Sequence, residues 1–217
     1  MKKIDKFWNW FLDNEQAILL AIRLGIKTGE VLSQLNRQLD AISKRIVFHI
    51  AAANEDQEKG IIIFSAEGYT KLFPKIRALE QQAPELSYFT IQAFIKPMLD
   101  KTDIIEGTDS AYEFAGYDIR ISELYLSLDH FDLRSKKIRI TLYVPEYGYL
   151  REYNDLESNL ELIMMEIIGE MAFRKHIRAF QIAGLPDSKK GLLKLIELQD
   201  CIDHLYQMDA RRKTRSL

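Results

Sequence analysis

The stretch Lys137-Ile-Arg-Ile-Thr-Leu-Tyr-Val144 decides the fold class, because its residues alternate between two sets with a period of two. That period belongs to a β-strand, whose successive side chains point to opposite faces of a sheet. One set, formed by Ile138, Ile140, Leu142 and Val144, is wholly apolar. The pattern therefore predicts a sheet with one covered face and one more polar face, and Pro145 ends the strand.

Shorter strand patterns lie on both sides of this stretch. They cover residues 45–51, 60–66, 87–95, 117–122 and 123–128. The first two are joined by a polar, charged connection at 54–59, which fits a hairpin loop. Residues 173–182 are compatible with a strand or a helix, and we favour a strand.

Apolar residues at helical spacing predict five helices. They cover residues 4–24, 28–43, 69–82, 155–171 and 188–208. The strands cluster in the middle of the chain with few regular crossovers. We therefore expect an α+β fold: an antiparallel or mixed central sheet of about five or six strands, helices mainly on one face, two N-terminal helices and a C-terminal helix.

Length and composition are those of a globular protein, with 217 residues of which 47% are hydrophobic. We expect a single domain over 1–217, with 210–217 as a frayed basic tail. The formal net charge of −2 gives no overall attraction to nucleic acid or anionic membranes. With one cysteine, Cys201, and no long apolar run, we expect a cytoplasmic protein without membrane contact.

The sequence contains none of the glycine-rich phosphate or dinucleotide motifs and no G-x-S-x-G elbow. P-loop enzymes, Rossmann dehydrogenases and α/β-hydrolases are therefore disfavoured, and we expect no cofactor.

The candidate catalytic residues are Glu166, Glu170 and His176. The two glutamates lie four residues apart on one predicted helix, and paired carboxylates can perform acid–base work. The helix is largely apolar, so a carboxylate on it needs a partner, which Arg174, His176 or Arg178 can supply. A structural ion pair is the favoured interpretation.

Asp200 and His204 are candidate metal ligands, because they also lie four residues apart on a predicted helix. No further His or Cys lies at ligand spacing, so a solvated helical pair is favoured over a metal site.

Four tyrosines, Tyr143, Tyr147, Tyr149 and Tyr153, surround the predicted end of the strand at Pro145. Tyrosine-rich loops are typical of recognition surfaces, because tyrosine offers contact area at low entropy cost. A loop folded onto its own domain is the equally favoured alternative.

Two basic clusters occur at 134–139 and 211–215, and they can contact phosphates. A solvated strand edge and a disordered tail explain them more simply.

Three sets of residues resemble an uncharacterised family of bacterial cytoplasmic proteins of similar length. They are Phe7-Trp-Asn-Trp-Phe, then Ile63-Phe-Ser-Ala-Glu-Gly with Ala83-Pro84 and Gln92-Ala-Phe-Ile-Lys-Pro, and finally Ile167-Ile-Gly-Glu170. The resemblance implies a recurring scaffold and carries no known activity or site.

Our leading hypothesis is a non-enzymatic interaction protein, such as a regulator, an adaptor or an immunity-type inhibitor, that binds another protein. Self-association also stays open. The alternative is a hydrolase or metal-dependent enzyme that uses Glu166, Glu170 and His176, or Asp200 and His204. A third hypothesis is nucleic-acid binding through the two basic clusters.

Overall fold

The computed structural model describes residues 2–25, 27–51, 59–98, 100–114 and 116–214, with only the backbone for Ala51 and 211–214. The chain divides into two compact units, Met1–Ile95 and Lys96–Leu217. The single domain over 1–217 stays a prediction. The hairpin loop predicted at 54–59 falls mostly outside the described residues.

The first unit contains three helices and three strands in its described part. They are α1 (Lys2–Leu24), α2 (Thr28–Asp40), β1 (Val47–Ala51), β2 (Gly60–Ser65), α3 (Phe73–Gln81) and β3 (Phe89–Ala93). The sheet order is β1-β2-β3. Strands β1 and β2 are antiparallel, which confirms the predicted pairing, and β3 runs parallel to β2 after the crossover through α3.

An aromatic cluster forms the core of the first unit. Phe7, Trp8 and Phe11 of α1 are buried against Phe64 of β2 and Phe89 of β3. Their rings meet edge-on, as in the Trp8–Phe64 contact at 6.0 Å between centroids, a geometry that aromatic pairs prefer. The Trp8 indole N–H also donates to the Leu79 carbonyl oxygen of α3 at 3.1 Å. The N-terminal aromatic run is therefore mainly core.

Glu15 interrupts the apolar stripe of α1, yet the structure buries it. Its carboxylate accepts the backbone N–H of Tyr88 at 2.7 Å and that of Ser87 at 3.3 Å, just before β3 begins. Two backbone donors satisfy the buried charge. Glu15 thus fixes the start of β3 against α1.

The second unit is larger. Its elements are α4 (Thr102–Glu106), β4 (Tyr112–Phe114), β5 (Tyr117–Ile119), β6 (Tyr125–Asp132), β7 (Lys137–Val144), α5 (Tyr147–Leu150), α6 (Leu156–Ile168), α7 (Glu170–His176), β8 (Ile177–Gly184), β9 (Leu193–Lys194) and α8 (Leu198–Thr214). Strands β4 and β5 form a two-stranded hairpin, and the other four form a sheet in the order β8-β7-β6-β9.

The predicted strand at 137–144 is confirmed residue for residue as β7, including its two faces. Ile138, Ile140, Leu142 and Val144 are buried, whereas the residues between them are half-buried or exposed. Both units connect their strands in the same order: two antiparallel strands, then helix, then a strand parallel to the second of them. In the second unit, β6 and β7 are antiparallel, and β8 returns parallel to β7 after α6 and α7.

The α+β class is confirmed, but the single central sheet of five or six strands is wrong. The described strands form three separate sheets of three, two and four strands. Alternation indicates which face of a strand is buried but not which strand lies beside it. In each larger sheet, a helical connection follows two antiparallel strands, and the next strand pairs in parallel with the second of them.

Three boundaries also differ from the predictions. Gly169 adopts φ 84°, which interrupts the helix predicted over 155–171. The segment 173–182, favoured as a strand, is divided between the end of α7 and the start of β8. The final helix begins at Leu198 rather than at 188 and continues to Thr214, because β9 and a 3₁₀ turn occupy 193–197.

We predict that Glu15→Ala lowers the free energy of unfolding by about 2–4 kcal/mol, because two backbone donors lose a charged acceptor. Chemical denaturation followed by tryptophan fluorescence measures this loss. The matched control is Asp13→Ala, an exposed acid on the same helix, for which we expect a change within about 0.5 kcal/mol. Equal effects of the two substitutions would contradict the assigned role of Glu15.

Candidate functional site

The segment 100–123 of the second unit concentrates negative charge. It contains seven acids, Asp100, Asp103, Glu106, Asp109, Glu113, Asp118 and Glu123, against two bases, Lys101 and Arg120. Helix α4 ends at Gly107, whose φ of 78° reverses the chain toward Asp109. The acids thereby flank the turn between α4 and the β4–β5 hairpin.

A cavity of about 440 Å³ lies in this segment. We call it the acidic cavity. Its lining includes Asp100, Asp103 and Asp109, the phenol ring of Tyr112, and the apolar side chains of Met98, Ile104 and Ile121. Among the described residues that line it, none is Lys, Arg, His or Cys. The described lining therefore combines carboxylates and an apolar surface without an internal counter-ion.

Asp109 is the acid of the cavity that the fold holds most firmly. The residue is only 8% exposed. One carboxylate oxygen, Oδ2, accepts the Ser122 backbone N–H at 3.3 Å. The other oxygen, Oδ1, is buried and has no hydrogen-bond partner among the residues that the structure describes. Arg120 donates to the backbone carbonyl oxygen of Asp109 rather than to its carboxylate.

An incompletely satisfied buried carboxylate is costly, because it has given up hydration without full replacement. Asp109 therefore needs a donor that the described residues do not supply.

Tyr112 forms one wall of the cavity and joins the hairpin to α6. Its hydroxyl donates to Glu166 Oε2 at 2.8 Å, across 54 positions of sequence. Burial, and then the negative charges of Glu166 and Asp109, raise the pKa of Tyr112 well above its ordinary value of 10.0. The phenol therefore stays protonated and donates its hydrogen bond to Glu166. Its oxygen retains lone pairs that can accept a hydrogen bond from a ligand.

Asp100 stands at the exposed rim. Its carboxylate accepts the Thr102 backbone N–H at 2.9 Å. Hydrogen bonds from the Thr102 backbone and side chain lower the pKa of Asp100, so this carboxylate remains ionised. The cavity is therefore suited to a cation.

The three candidate catalytic residues have different local surroundings. Gly169 separates Glu166 on α6 from Glu170 on α7, so the two do not share the face of one continuous helix. Glu170 is fully buried. His176 packs edge-on against Tyr206 at 5.1 Å, and burial followed by the charge of Lys175 lowers its pKa. Catalytic use of these residues stays a prediction.

Two arginines, Arg174 of α7 and Arg178 of β8, form ion pairs with acids of the second unit. Arg174 forms an ion pair with Glu161 of α6. Arg178 lies 3.3 Å from Asp132 of β6. Neither of these contacts involves Glu166 or Glu170, so the structural ion pair of those two glutamates with Arg174, His176 or Arg178 stays a prediction.

Asp200 and His204 are both exposed on α8. Within the described ranges, no three His, Cys, Asp or Glu side chains are placed to hold a metal ion.

The four tyrosines around Pro145 are distributed over different parts of the second unit. Tyr143 lies on the polar face of the sheet, next to Ser127. Tyr147 approaches Gly184, which pairs with the core-facing Val144, so it lies on the other face. Tyr153 is half-buried, and Tyr149 is 68% exposed. They do not present one continuous surface, and their role in binding stays a prediction.

The first basic cluster is partly engaged within the protein. Lys136 pairs with Asp209 of α8 at 2.5 Å. Lys137 donates to the carbonyl oxygen of Arg174 at 3.0 Å. The side chains of the second cluster, at 211–215, lie outside the described residues.

Reasoning from the sequence named Glu166 but missed Asp109 and Tyr112. The charge imbalance of 100–123 was the available signal, since this segment contains seven acids and only two bases. Only the fold shows which of these acids lines a cavity.

No helix among the described residues has both the length and the apolar character needed to cross a membrane. Comparisons with family models, curated proteins and solved structures gave no match to this chain. The resemblance to an uncharacterised bacterial family therefore stays a prediction.

We predict that the Tyr112 phenol remains protonated at pH values where ordinary tyrosines ionise, because burial and Glu166 raise its pKa. Its folded pKa lies above its unfolded value, so its contribution to stability is complete below about pH 10 and declines as the pH rises further. Unfolding free energies of the wild type and Tyr112→Phe, measured across this range, test the sign.

The variant should lose about 1–2 kcal/mol at neutral pH through the missing hydrogen bond. Its deficit should then shrink as the pH rises above 10. A deficit that grows over the same range would contradict the assignment. Near-ultraviolet titration of phenolate formation supplies the second readout, in which the two proteins should differ little up to about pH 11.

Proposed function

We propose that this protein is a non-enzymatic interaction protein, serving as a regulator, an adaptor or an inhibitor. It holds a partner protein by a lysine or arginine side chain inserted into the acidic cavity. The observation that carries the proposal is the buried Oδ1 of Asp109, which has no hydrogen-bond partner in the described part of the chain. A cationic side chain would supply both a donor and a counter-charge.

The arrangement of the carboxylates supports an organic cation over a metal ion. Asp100, Asp103 and Asp109 line one cavity, yet they do not converge as ligands of a single ion within the described residues. Metal ions such as Ca²⁺ require several oxygens at short, similar distances. A guanidinium or ammonium group instead distributes several N–H donors among separated acceptors.

The apolar lining supports an amino-acid side chain over a bare ammonium ion. Met98, Ile104 and Ile121 line the same cavity as the acids. Lysine and arginine carry a charged head on an aliphatic stem, which can lie along such a surface. A volume of about 440 Å³ is within the ordinary range for small-ligand sites.

The chemistry of the lining favours binding over catalysis. Tyr112 is held protonated by burial and by Glu166. The described lining residues include no His, Cys or Lys that would act as a nucleophile or as a base near neutral pH. The excess of acids also opposes contact with nucleic-acid phosphates at this site.

We predict that N-acetyl-arginine amide binds to the wild-type protein and shifts backbone NMR signals mainly within residues 98–121. Its affinity should be weak, because a single side chain provides few contacts. Asp109→Asn should weaken binding at least about fivefold, since it removes the charge from one charge-assisted hydrogen bond while preserving the shape of the side chain.

Two controls test whether binding depends on the charge of the ligand and on the position of the acid in the protein. N-acetyl-citrulline amide has nearly the same shape as the arginine compound but no charge, so it should not bind. Glu106→Gln removes an exposed acid of α4 outside the cavity lining, and it should change the affinity less than twofold. Equal binding of the arginine and citrulline compounds, or wild-type affinity in Asp109→Asn, would refute the proposed function.

A further inference from the structure

An aromatic row begins at the wall of the acidic cavity. Tyr112 and Phe114 are two residues apart on β4, so their side chains share one face of the strand. Their rings stack with centroids 6.3 Å apart and planes 22° apart. Phe114 is buried, and Tyr112 borders the cavity.

The row continues across the hairpin to the surface of the second unit. Tyr117 of β5 pairs directly with Phe114, so it lies on the same face and is a diagonal neighbour of Tyr112, about 7–8 Å away. The ring of Tyr149, from α5, stacks on Tyr117 with centroids 5.6 Å apart and planes 16° apart. At 68% exposure, Tyr149 presents a large aromatic surface to solvent.

The other face of the hairpin carries an unfavourable pair of charges. Glu113 and Asp118 are direct cross-strand partners, and both are exposed. Neither carboxylate has an ion pair in the described part of the chain. Like charges in this position destabilise a hairpin. Because the hairpin is one layer thick, their field extends to the aromatic row within about a Debye length of 8–10 Å.

We propose that Tyr149 and Tyr117 form a second subsite, at which an arginine guanidinium of the partner stacks on the exposed ring of Tyr149. This inference rests on the proposed function and specifies the partner as an extended basic segment with two cationic residues. One cation enters the acidic cavity at Asp109, and the other covers Tyr149. The nearby carboxylates of Glu113 and Asp118 strengthen the attraction.

The chemistry of the subsite favours arginine over lysine. A guanidinium is planar and only weakly hydrated, so it stacks on an aromatic ring and still donates to nearby acceptors. Tyr112 and Tyr117 are about 7–8 Å apart as diagonal neighbours, and the Tyr149 ring lies 5.6 Å from the Tyr117 ring, so the two subsites are separated by at most about 13 Å. An extended chain advances about 3.3 Å per residue. The two cationic residues of the partner are therefore expected two to four positions apart.

The test uses two blocked pentapeptides, Arg-Ala-Ala-Ala-Arg and Lys-Ala-Ala-Ala-Lys, together with N-acetyl-arginine amide. With the wild type, the two-arginine peptide should bind more tightly than both of the other probes. Tyr149→Ala should weaken its binding about two- to fivefold, the range expected for an exposed cation–π contact. Tyr149→Phe preserves the aromatic ring and should retain wild-type affinity.

The single-arginine compound separates this inference from the proposed function. Its affinity should be unchanged in Tyr149→Ala, because it occupies only the cavity. The second subsite is overturned if Tyr149→Ala binds the two-arginine peptide as the wild type does, or weakens both ligands equally. If Asp109→Asn alone weakens binding, the proposed function stands without this subsite. If the single-arginine compound does not bind at all, both fail.

Discussion

The structure depends on one constraint: an inner strand of each larger sheet, β2 or β7, has an apolar face that another layer must cover. Ile62 and Phe64 of β2 are fully buried in the first unit, as are Ile140 and Leu142 of β7 in the second. A strand with one apolar face must cover that face with another layer. In both units, the chain continues from a hairpin into helix and returns as a strand parallel to the middle one. Burial and connectivity are thereby satisfied together.

The β4–β5 hairpin is stabilised differently from the two larger sheets. An isolated two-stranded sheet is marginally stable in water, so this hairpin depends on its attachments to the rest of the second unit. Phe114 and Ile119 are buried, and Tyr112 donates to Glu166 of α6. These attachments also position Tyr112 as a wall of the acidic cavity. The shape of the proposed site is thus a consequence of how the hairpin is anchored.

Two buried acids show how similar residues differ in role. Glu15 accepts two backbone N–H groups, which replace the water it lost on burial. Within the described part of the chain, Asp109 has one backbone donor for Oδ2, at 3.3 Å, and none for Oδ1. The first acid is explained by the fold that surrounds it. The second lines a cavity in an acidic segment, where a ligand can complete its hydrogen bonding.

The sequence by itself determined the α+β class, the first helix, the β1–β2 pairing and the two faces of β7, because each follows from local periodicity or from neighbouring segments. It also revealed the excess of acids at 100–123. Only the tertiary structure decided that the described strands form three sheets, that Tyr112 meets Glu166, and that Tyr149 covers Tyr117. Periodicity specifies which face of an element is buried, whereas these contacts join positions far apart in the chain. They depend on how helices and strands pack, and a repeating pattern in one segment does not encode the identity of its distant neighbour.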